Sequence, residues 1–415
     1  MGSSQALFRE GPVPVTSSAP VGMSARRTAL IGGLMVATGP LSLTLYTPAL
    51  PTIVADFATN DAAGKLSLTV YFAAFALAQL ICGPLSDRFG RRGVGMAFFA
   101  IYVLGSLIAA IAPSLEVLFL GRFVQGFGVS AGVALSRAMV RDQFVGSQAI
   151  RILTMVNLIL TVTPAVAPTL GSVILLFGSW HLMFVVMAGF GLAILALLGT
   201  SARETLPPEN RQPINLRVIL GNYRRLLMAP DFVFPALLLC LTFSGFHGFT
   251  ALLPFILIDE LGLTPFQFAM AMLVQTAAFI LGNLVTGYLS TRIAGDRLVT
   301  IALVLLALSG LAFGILPRLY PLSILAIMAP VGIWMLGLAF ISPSATTAAM
   351  AGFGAIAGAA GAMSGFFQVG GGFLGSLAAG TLFADARTAL VLQLPFVAML
   401  TIAVAMLDRW RKSRQ

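Results

Sequence analysis

Two ionisable side chains fall inside long apolar stretches of this chain, Arg122 and His247. An arginine at mid-bilayer depth costs roughly 2.5–3.5 kcal/mol on insertion scales, so Arg122 has to face a protein-lined or wet interior. Two roles fit it. It meets an anionic ligand, having no carboxylate partner at its depth, or it is a structural cation held by backbone carbonyls and by Gln125, one turn on. An imidazole ordinarily titrates near pH 6.5. His247, in Ser244-Gly245-Phe246-His247-Gly248-Phe249, is therefore the candidate for carrying a proton through the apolar region, the alternative being a neutral histidine hydrogen-bonded within a bundle. His181, beside Trp180, opens an apolar stretch and reads as an interfacial anchor.

Acids are absent from the apolar stretches. All 14 Asp and Glu residues fall in tails, loops or stretch ends. A buried carboxylate is the usual intramembrane proton carrier and the counter-ion of a cationic ligand, so a neutral or anionic ligand is favoured. No His/Glu metal cluster and no nucleophile–base pair occurs in these stretches, so neither a metal nor a cofactor nor an enzymatic activity is expected. The absence of a G-x-x-x-x-G-K-[ST] loop argues against a self-contained ATP-driven pump. Cys82 and Cys240 both lie in apolar stretches and suggest neither a disulfide nor a metal site.

The elements that position these residues follow from composition. The chain is 58% hydrophobic and only 9% charged, against about 25% charged in a soluble domain. Its apolar residues come in solid blocks long enough to cross a hydrocarbon core of about 30 Å. Solid blocks mean helices, since barrel strands alternate. The expected fold is thus an all-α membrane protein of twelve transmembrane helices in two six-helix halves. The spans read approximately as 28–50, 66–86, 94–113, 116–138, 150–176, 181–200, 232–257, 266–290, 298–316, 321–343, 353–382 and 388–407.

With the N-terminus inside, 20 of the 24 Lys and Arg residues fall in cytoplasmic segments. The outer segments hold only Lys65, Arg318 and Arg387, and Arg122 is the one left inside a span. That asymmetry sets both termini in the cytoplasm. The net charge of +10 is spread in short bursts between spans, which is a membrane-topology pattern and not a nucleic-acid face. The expected organisation is a disordered tail (1–27), a first half (28–200), a cytoplasmic connector (201–231), a second half (232–408) and a basic tail (409–415).

The halves also show a repeat. Gly83-Pro84-Leu85-Ser86-Asp87-Arg88 matches Gly287-Tyr288-Leu289-Ser290-Thr291-Arg292 at an offset of 204 residues, and Leu170-Gly171-Ser172 recurs as Leu374-Gly375-Ser376 at the same offset. A parallel 6+6 repeat is a transporter architecture.

The loop Gly83-Pro84-Leu85-Ser86-Asp87-Arg88-Phe89-Gly90-Arg91-Arg92 resembles the G-x-L-x-D-R-x-G-R-R signature of the major facilitator superfamily. Its glycines let two helix ends turn tightly and its arginines anchor the loop. Asp87 then either pairs with a neighbouring arginine or meets the positive N-terminal end of a helix from the other half, a contact that biases the alternating-access equilibrium. Tyr46-Thr47-Pro48-Ala49-Leu50-Pro51, Arg122-Phe123-Val124-Gln125-Gly126, Ala165-Val166-Ala167-Pro168-Thr169-Leu170-Gly171 and the connector Glu204-Thr205-Leu206-Pro207-Pro208 together resemble the bicyclomycin and chloramphenicol/florfenicol resistance exporters.

The resemblance implies export of small hydrophobic drugs across a bacterial inner membrane, by antiport with protons, so that a proton gradient is the energy source. It implies for Arg122 a part in proton coupling or cavity stabilisation, and for Pro168 and Gly171 a partial match to an antiporter motif. It places a central cavity along spans 1, 2, 4, 5, 7, 8, 10 and 11, with Thr44, Tyr46, Tyr71, Gln79, Gln125, Asn157, His247, Gln275, Asn283, Trp334 and Gln368 as candidate lining. The family's first span usually carries an acid two residues before the tyrosine. Here that residue is Thr44, which puts the usual proton route in doubt. The expected partners are a small-molecule substrate and the lipid bilayer, not nucleic acid, and a monomer is expected. A uniporter or importer of a neutral or anionic metabolite and a non-transporting receptor are the competing readings.

Overall fold

The computed structural model describes residues 22–414, and every regular element in that range is helical. Most of the expected tail, with Arg9 and Glu10, lies outside the described residues. Among the described residues, 11 helical segments are long and apolar enough to cross a membrane. They are span 1 (Ala25–Asp56), span 2 (Asp61–Phe89), span 3 (Arg91–Ala110), span 4 (Leu115–Gln143), span 5 (Gly146–Phe177), span 6 (His181–Thr200), span 7 (Pro230–Glu260), span 8 (Pro265–Leu289), span 9 (Gly295–Leu319), span 10 (Ile324–Met350) and span 12 (Ala386–Lys412). Span 11 (Ala357–Thr381) completes the twelve. It is rich in glycine and alanine and so less apolar, and it is packed between spans 2 and 7.

Several ends differ from the sequence expectation. Span 1 runs beyond residue 50 because its first helix, Ala25–Thr44, is followed by a tight turn at Thr47–Ala49 and a second helix, Leu50–Asp56. Pro48 and Pro51 carry no N–H, which breaks the ladder without ending the crossing. Span 4 continues to Gln143, so Arg137 and Arg141, expected in a cytoplasmic segment, lie on its last turns. Lys65 was expected in an outer segment. It sits one turn inside span 2, 2% exposed, with Nζ 5.0 Å from the centre of the Phe255 ring. A lysine stem packed on apolar surface with its ammonium over an aromatic face explains that burial.

Spans 1–6 pack chiefly on one another (3 on 4 and 6, 1 on 5, 2 on 4), and spans 7–12 do likewise (9 on 10 and 12, 7 on 10, 11 and 12, 8 on 10). The halves meet along two seams, span 2 against span 11 and span 5 against span 8. Glycines 204 residues apart perform the same task in each half. Gly171 of span 5 lies against the Leu45 carbonyl of span 1, and Gly375 of span 11 against the Ser244 carbonyl of span 7; a methyl group at either position would collide with that backbone. Such close approach substitutes for the hydrophobic driving force that lipid removes. Gly371 does the same against the Cys240 carbonyl. Gly354, Gly358 and Gly361 share a small-residue spacing, but a would-be side chain at each has nothing within 4 Å, so no close helix approach depends on them.

The seams are tied at the end of the bundle opposite the termini. The Ser172 hydroxyl lies 2.7 Å from the Pro265 carbonyl, joining spans 5 and 8. Thr69 Oγ1 donates to Ser376 Oγ at 3.0 Å, joining spans 2 and 11.

Candidate functional site

Arg122 is fully buried at the centre of the first half. Its Nη1 donates to Gln125 Oε1 at 2.5 Å and to the Ser42 carbonyl at 3.2 Å, and its guanidinium carbon lies 4.7 Å and 4.3 Å from the ring centres of Tyr46 and Tyr71. Phe184 of span 6 supplies a third ring at 5.9 Å. Gln125 in turn donates to Ser106 Oγ of span 3 at 2.8 Å, and the Ser42 hydroxyl shares a 2.8 Å bond with that of Tyr102. One cation thus ties together spans 1, 2, 3, 4 and 6. Among the described residues its Nε and Nη2 have no hydrogen-bond partner, so aromatic faces are its main remaining compensation. This is the structural-cation arrangement, with a backbone carbonyl and Gln125 as its holders. The alternative, an arginine open to an anion, does not match a side chain at 0% exposure.

The other first-half candidates share that interior. Tyr46 is fully buried and its hydroxyl pairs with Ser67 Oγ at 2.8 Å. Thr44 is buried and donates back to the Pro40 carbonyl at 2.8 Å. Gln125 is 0% exposed, so neither it nor Tyr46 lines an open space. Trp334 and Gln275 are buried within the second half, where Trp334 Nε1 donates to the Thr242 carbonyl. Gln79 packs beside Gly365 across the seam, and Asn283 donates to the Phe279 carbonyl on its own helix. Gln368 Nε2 reaches Thr346 Oγ1 at 3.4 Å, joining spans 11 and 10. Asn157 is exposed on span 5.

His247 is placed differently. Its ring centre lies 4.4 Å from those of Phe72 and Phe246 and 6.1 Å from that of Phe243. Phe72 belongs to the first half, and Gly372 of span 11 leaves room for both Phe72 and His247. The imidazole therefore stands at the seam between the halves, half-buried among aromatic rings, and makes no hydrogen bond among the described residues.

The loop between spans 2 and 3 is organised around Arg91 and Gly90. Arg91 is 4% exposed; it pairs with Asp87 at 2.5 Å and with Asp142 of span 4 at 2.9 Å, and it donates to Ser86 Oγ. Asp87 accordingly takes the first of its two expected roles, pairing with a neighbouring arginine. Gly90 has φ +92, a left-handed conformation that favours glycine. Arg88, in the last turn of span 2, is exposed; Gly83 has no neighbour within 4 Å of a would-be side chain.

The connector's Glu204 was not singled out by sequence reasoning, yet it is central. Its carboxylate accepts the backbone N–H of Arg91 at 2.8 Å and of Arg92 at 3.1 Å, as well as those of Thr205 and Leu206. An acid over the unsatisfied N–H groups that open span 3 is favourable by charge and by hydrogen bonding. Gly90 has no side chain to obstruct it, and Arg92 binds the carbonyls of Leu198 and Gly199 at the end of span 6. The legible signals were its place in the connector motif Glu204-Thr205-Leu206-Pro207-Pro208 and an acid just beyond span 6. Pro168 lies on span 5 one turn before Ser172, whose hydroxyl reaches its carbonyl, and Gly171 makes the close approach described above.

A family model for the Major Facilitator Superfamily matches residues 32–380. The chain belongs to this superfamily. A relative from Bacillus subtilis described as an uncharacterized MFS-type transporter, YdgK, is 31% identical over 361 residues, covering 86% of this chain and 89% of its own. The bicyclomycin resistance protein homolog of Haemophilus influenzae is 27% identical over 279 residues, covering 67% and 70%. Among solved structures, the nucleoside transporter NupG superposes with a TM-score of 0.70 at 15% identity over 93% of this chain and 98% of its own, which shows the common fold. The chain is thus a multi-pass membrane transporter of the superfamily, similar to drug-resistance proteins, with the expected twelve-helix, two-half architecture.

Proposed function

We propose that this transporter exports small hydrophobic compounds by alternating access, in exchange for protons, with both termini on the cytoplasmic side of a bacterial inner membrane. The observation that carries the reading is the asymmetry of the bundle. The halves are tied at the end away from the termini, by Ser172 to Pro265 and Thr69 to Ser376, whereas the Arg91–Asp87–Asp142 loop network lies within the first half at the other end. Halves bonded at the end away from the termini are what one of the two end states of alternating access has. The similarity to resistance proteins supports export as the direction of transport, and the clustering of arginines at the terminal end supports a cytoplasmic position for that end. His247, at the seam and among aromatic rings, is the group we assign to proton coupling, since both halves contact its surroundings. No oligomer is required for this mechanism.

The test is susceptibility profiling of an efflux-deficient host expressing the chain, followed by transport in vesicles with and without a pH gradient. Raised tolerance and gradient-driven uptake into inside-out vesicles are expected. Accumulation in intact cells, without protection against any compound, overturns the export reading. Unchanged gradient-driven transport in His247→Gln overturns the assignment of coupling to that residue.

A further inference from the structure

Arg137 is an exposed cation on the last turns of span 4. It follows Gly126 on span 4 by 11 residues, which is about three turns and roughly 17 Å at helical spacing, across the turn at Ser130 where the helices Leu115–Val129 and Ala131–Gln143 of the span meet. Gly126 is met by the Tyr71 carbonyl of span 2, and beyond it lies span 11, where Gly372 meets Phe72. The Arg137 side chain, unlike that of Arg91, makes no hydrogen bond or ion pair among the described residues. Its neighbour Ser136 fixes the rotation, lying against Gly32 of span 1 with Val156 of span 5 on the same glycine. Asn157, the next residue of span 5, is exposed at the same level.

One turn nearer the helix end, Arg141 is also exposed. Two arginines spaced i, i+4 repel by a few tenths of a kcal/mol unless an anion lies between them. The acid closest in sequence, Asp142, is occupied by Arg91 and Thr205 on the far side of the helix. The chemistry that completes this face is therefore an anion supplied from outside the protein, and a guanidinium is the side chain suited to a two-pronged grip on a carboxylate or phosphate. Three turns deeper, about 17 Å, the ring cluster of Phe72, Phe243, Phe246 and His247 offers the apolar surface for the rest of such a molecule.

We infer that Arg137 is a specificity-determining residue that captures the anionic group of an amphipathic organic anion entering from the end of the bundle that carries the termini. The inference rests on the export reading, and two measurements separate their failures. First, Arg137→Cys is made in a Cys82→Ala, Cys240→Ala background and exposed to a membrane-impermeant anionic methanethiosulfonate reagent. Labelling is expected in inside-out vesicles and not in right-side-out ones, whatever the substrate. Absence of labelling from both sides places Arg137 away from the aqueous space and overturns the inference while leaving export intact.

Second, matched pairs of aromatic carboxylates and their neutral amides are compared in an efflux-deficient host. Protection is expected against at least one carboxylate, falling tenfold or more in Arg137→Gln and partly restored in Arg137→Lys, with any protection against amides unchanged. Protection confined to the amides, or equal in wild type and Arg137→Gln, overturns the inference. Equal loss for acid and amide, with less folded protein, assigns Arg137 a structural role and also overturns it. No protection by the wild type against any compound overturns the export reading on which the inference stands.

Discussion

The burial of Arg122 leads to a quantitative expectation. Its guanidinium is 0% exposed, has one side-chain acceptor, Gln125 Oε1, and has two nitrogens with no hydrogen-bond partner among the described residues. Gln125→Leu removes that acceptor at nearly constant volume and leaves the cation in place. Removing the acceptor of a buried hydrogen bond to a charged group costs about 1.5–3 kcal/mol. At 1.36 kcal/mol per decade, the upper figure is a fall of about 150-fold in the ratio of folded to unfolded protein. Arg122→Met removes the charge itself. Replacing a buried ionic group together with its partner by apolar residues is typically neutral, or stabilising by about 1–4 kcal/mol.

The double variant Arg122→Met, Gln125→Leu is therefore expected to recover most of what Gln125→Leu loses. The interaction energy should be about 1.5–3 kcal/mol, above the roughly 0.5 kcal/mol scatter of additive pairs. Denaturant titration of the detergent-purified protein measures it. Gln125 also donates to Ser106 Oγ, so Ser106→Ala serves as the control for that bond. Additive losses in the double variant would refute the view that the cation, and not the amide, dominates the energetics of this cluster.

Two further outcomes follow from the packing and the connector. Gly171→Leu and Gly375→Leu should each sharply reduce the yield of monodisperse protein in size-exclusion chromatography, because a side chain there meets backbone and overpacking costs about 1–3 kcal/mol or more; Gly354→Ala, with nothing within 4 Å, should not. Burial, with the charge of Asp87 adding to it, pushes the Tyr223 phenol from its usual 10.0 up to about 12. The raised value means that its stabilising contribution is complete below pH 10.0 and is lost as pH rises toward 12. Tyr223→Phe, which removes the 2.8 Å bond from the phenol to the Leu80 carbonyl, should cost about 1 kcal/mol and abolish that alkaline slope in thermal melts.

The crossing helices were legible in the sequence because the bilayer imposes a one-dimensional rule: apolar blocks of sufficient length between basic bursts. The 204-residue offset was legible too, and Gly171 and Gly375 show its physical origin, since each lets one helix close on a partner's carbonyl. The signature loop identified Gly90 and Arg91 as special, because left-handed backbone and a buried guanidinium restrict residue type.

What lay beyond the sequence was direction. Arg122 and Arg137 lie on one span, 15 residues apart, and composition treats the first as a site and the second as part of a loop. Only the packing of spans 1, 2, 3 and 6 around Arg122 seals it away, whereas Arg137 stays exposed on the last turns of span 4. Likewise Glu204 meets the start of span 3 across 113 residues of chain. Hydropathy records how apolar a segment is along the chain; which side of a helix is covered depends on where the neighbouring helices come to rest.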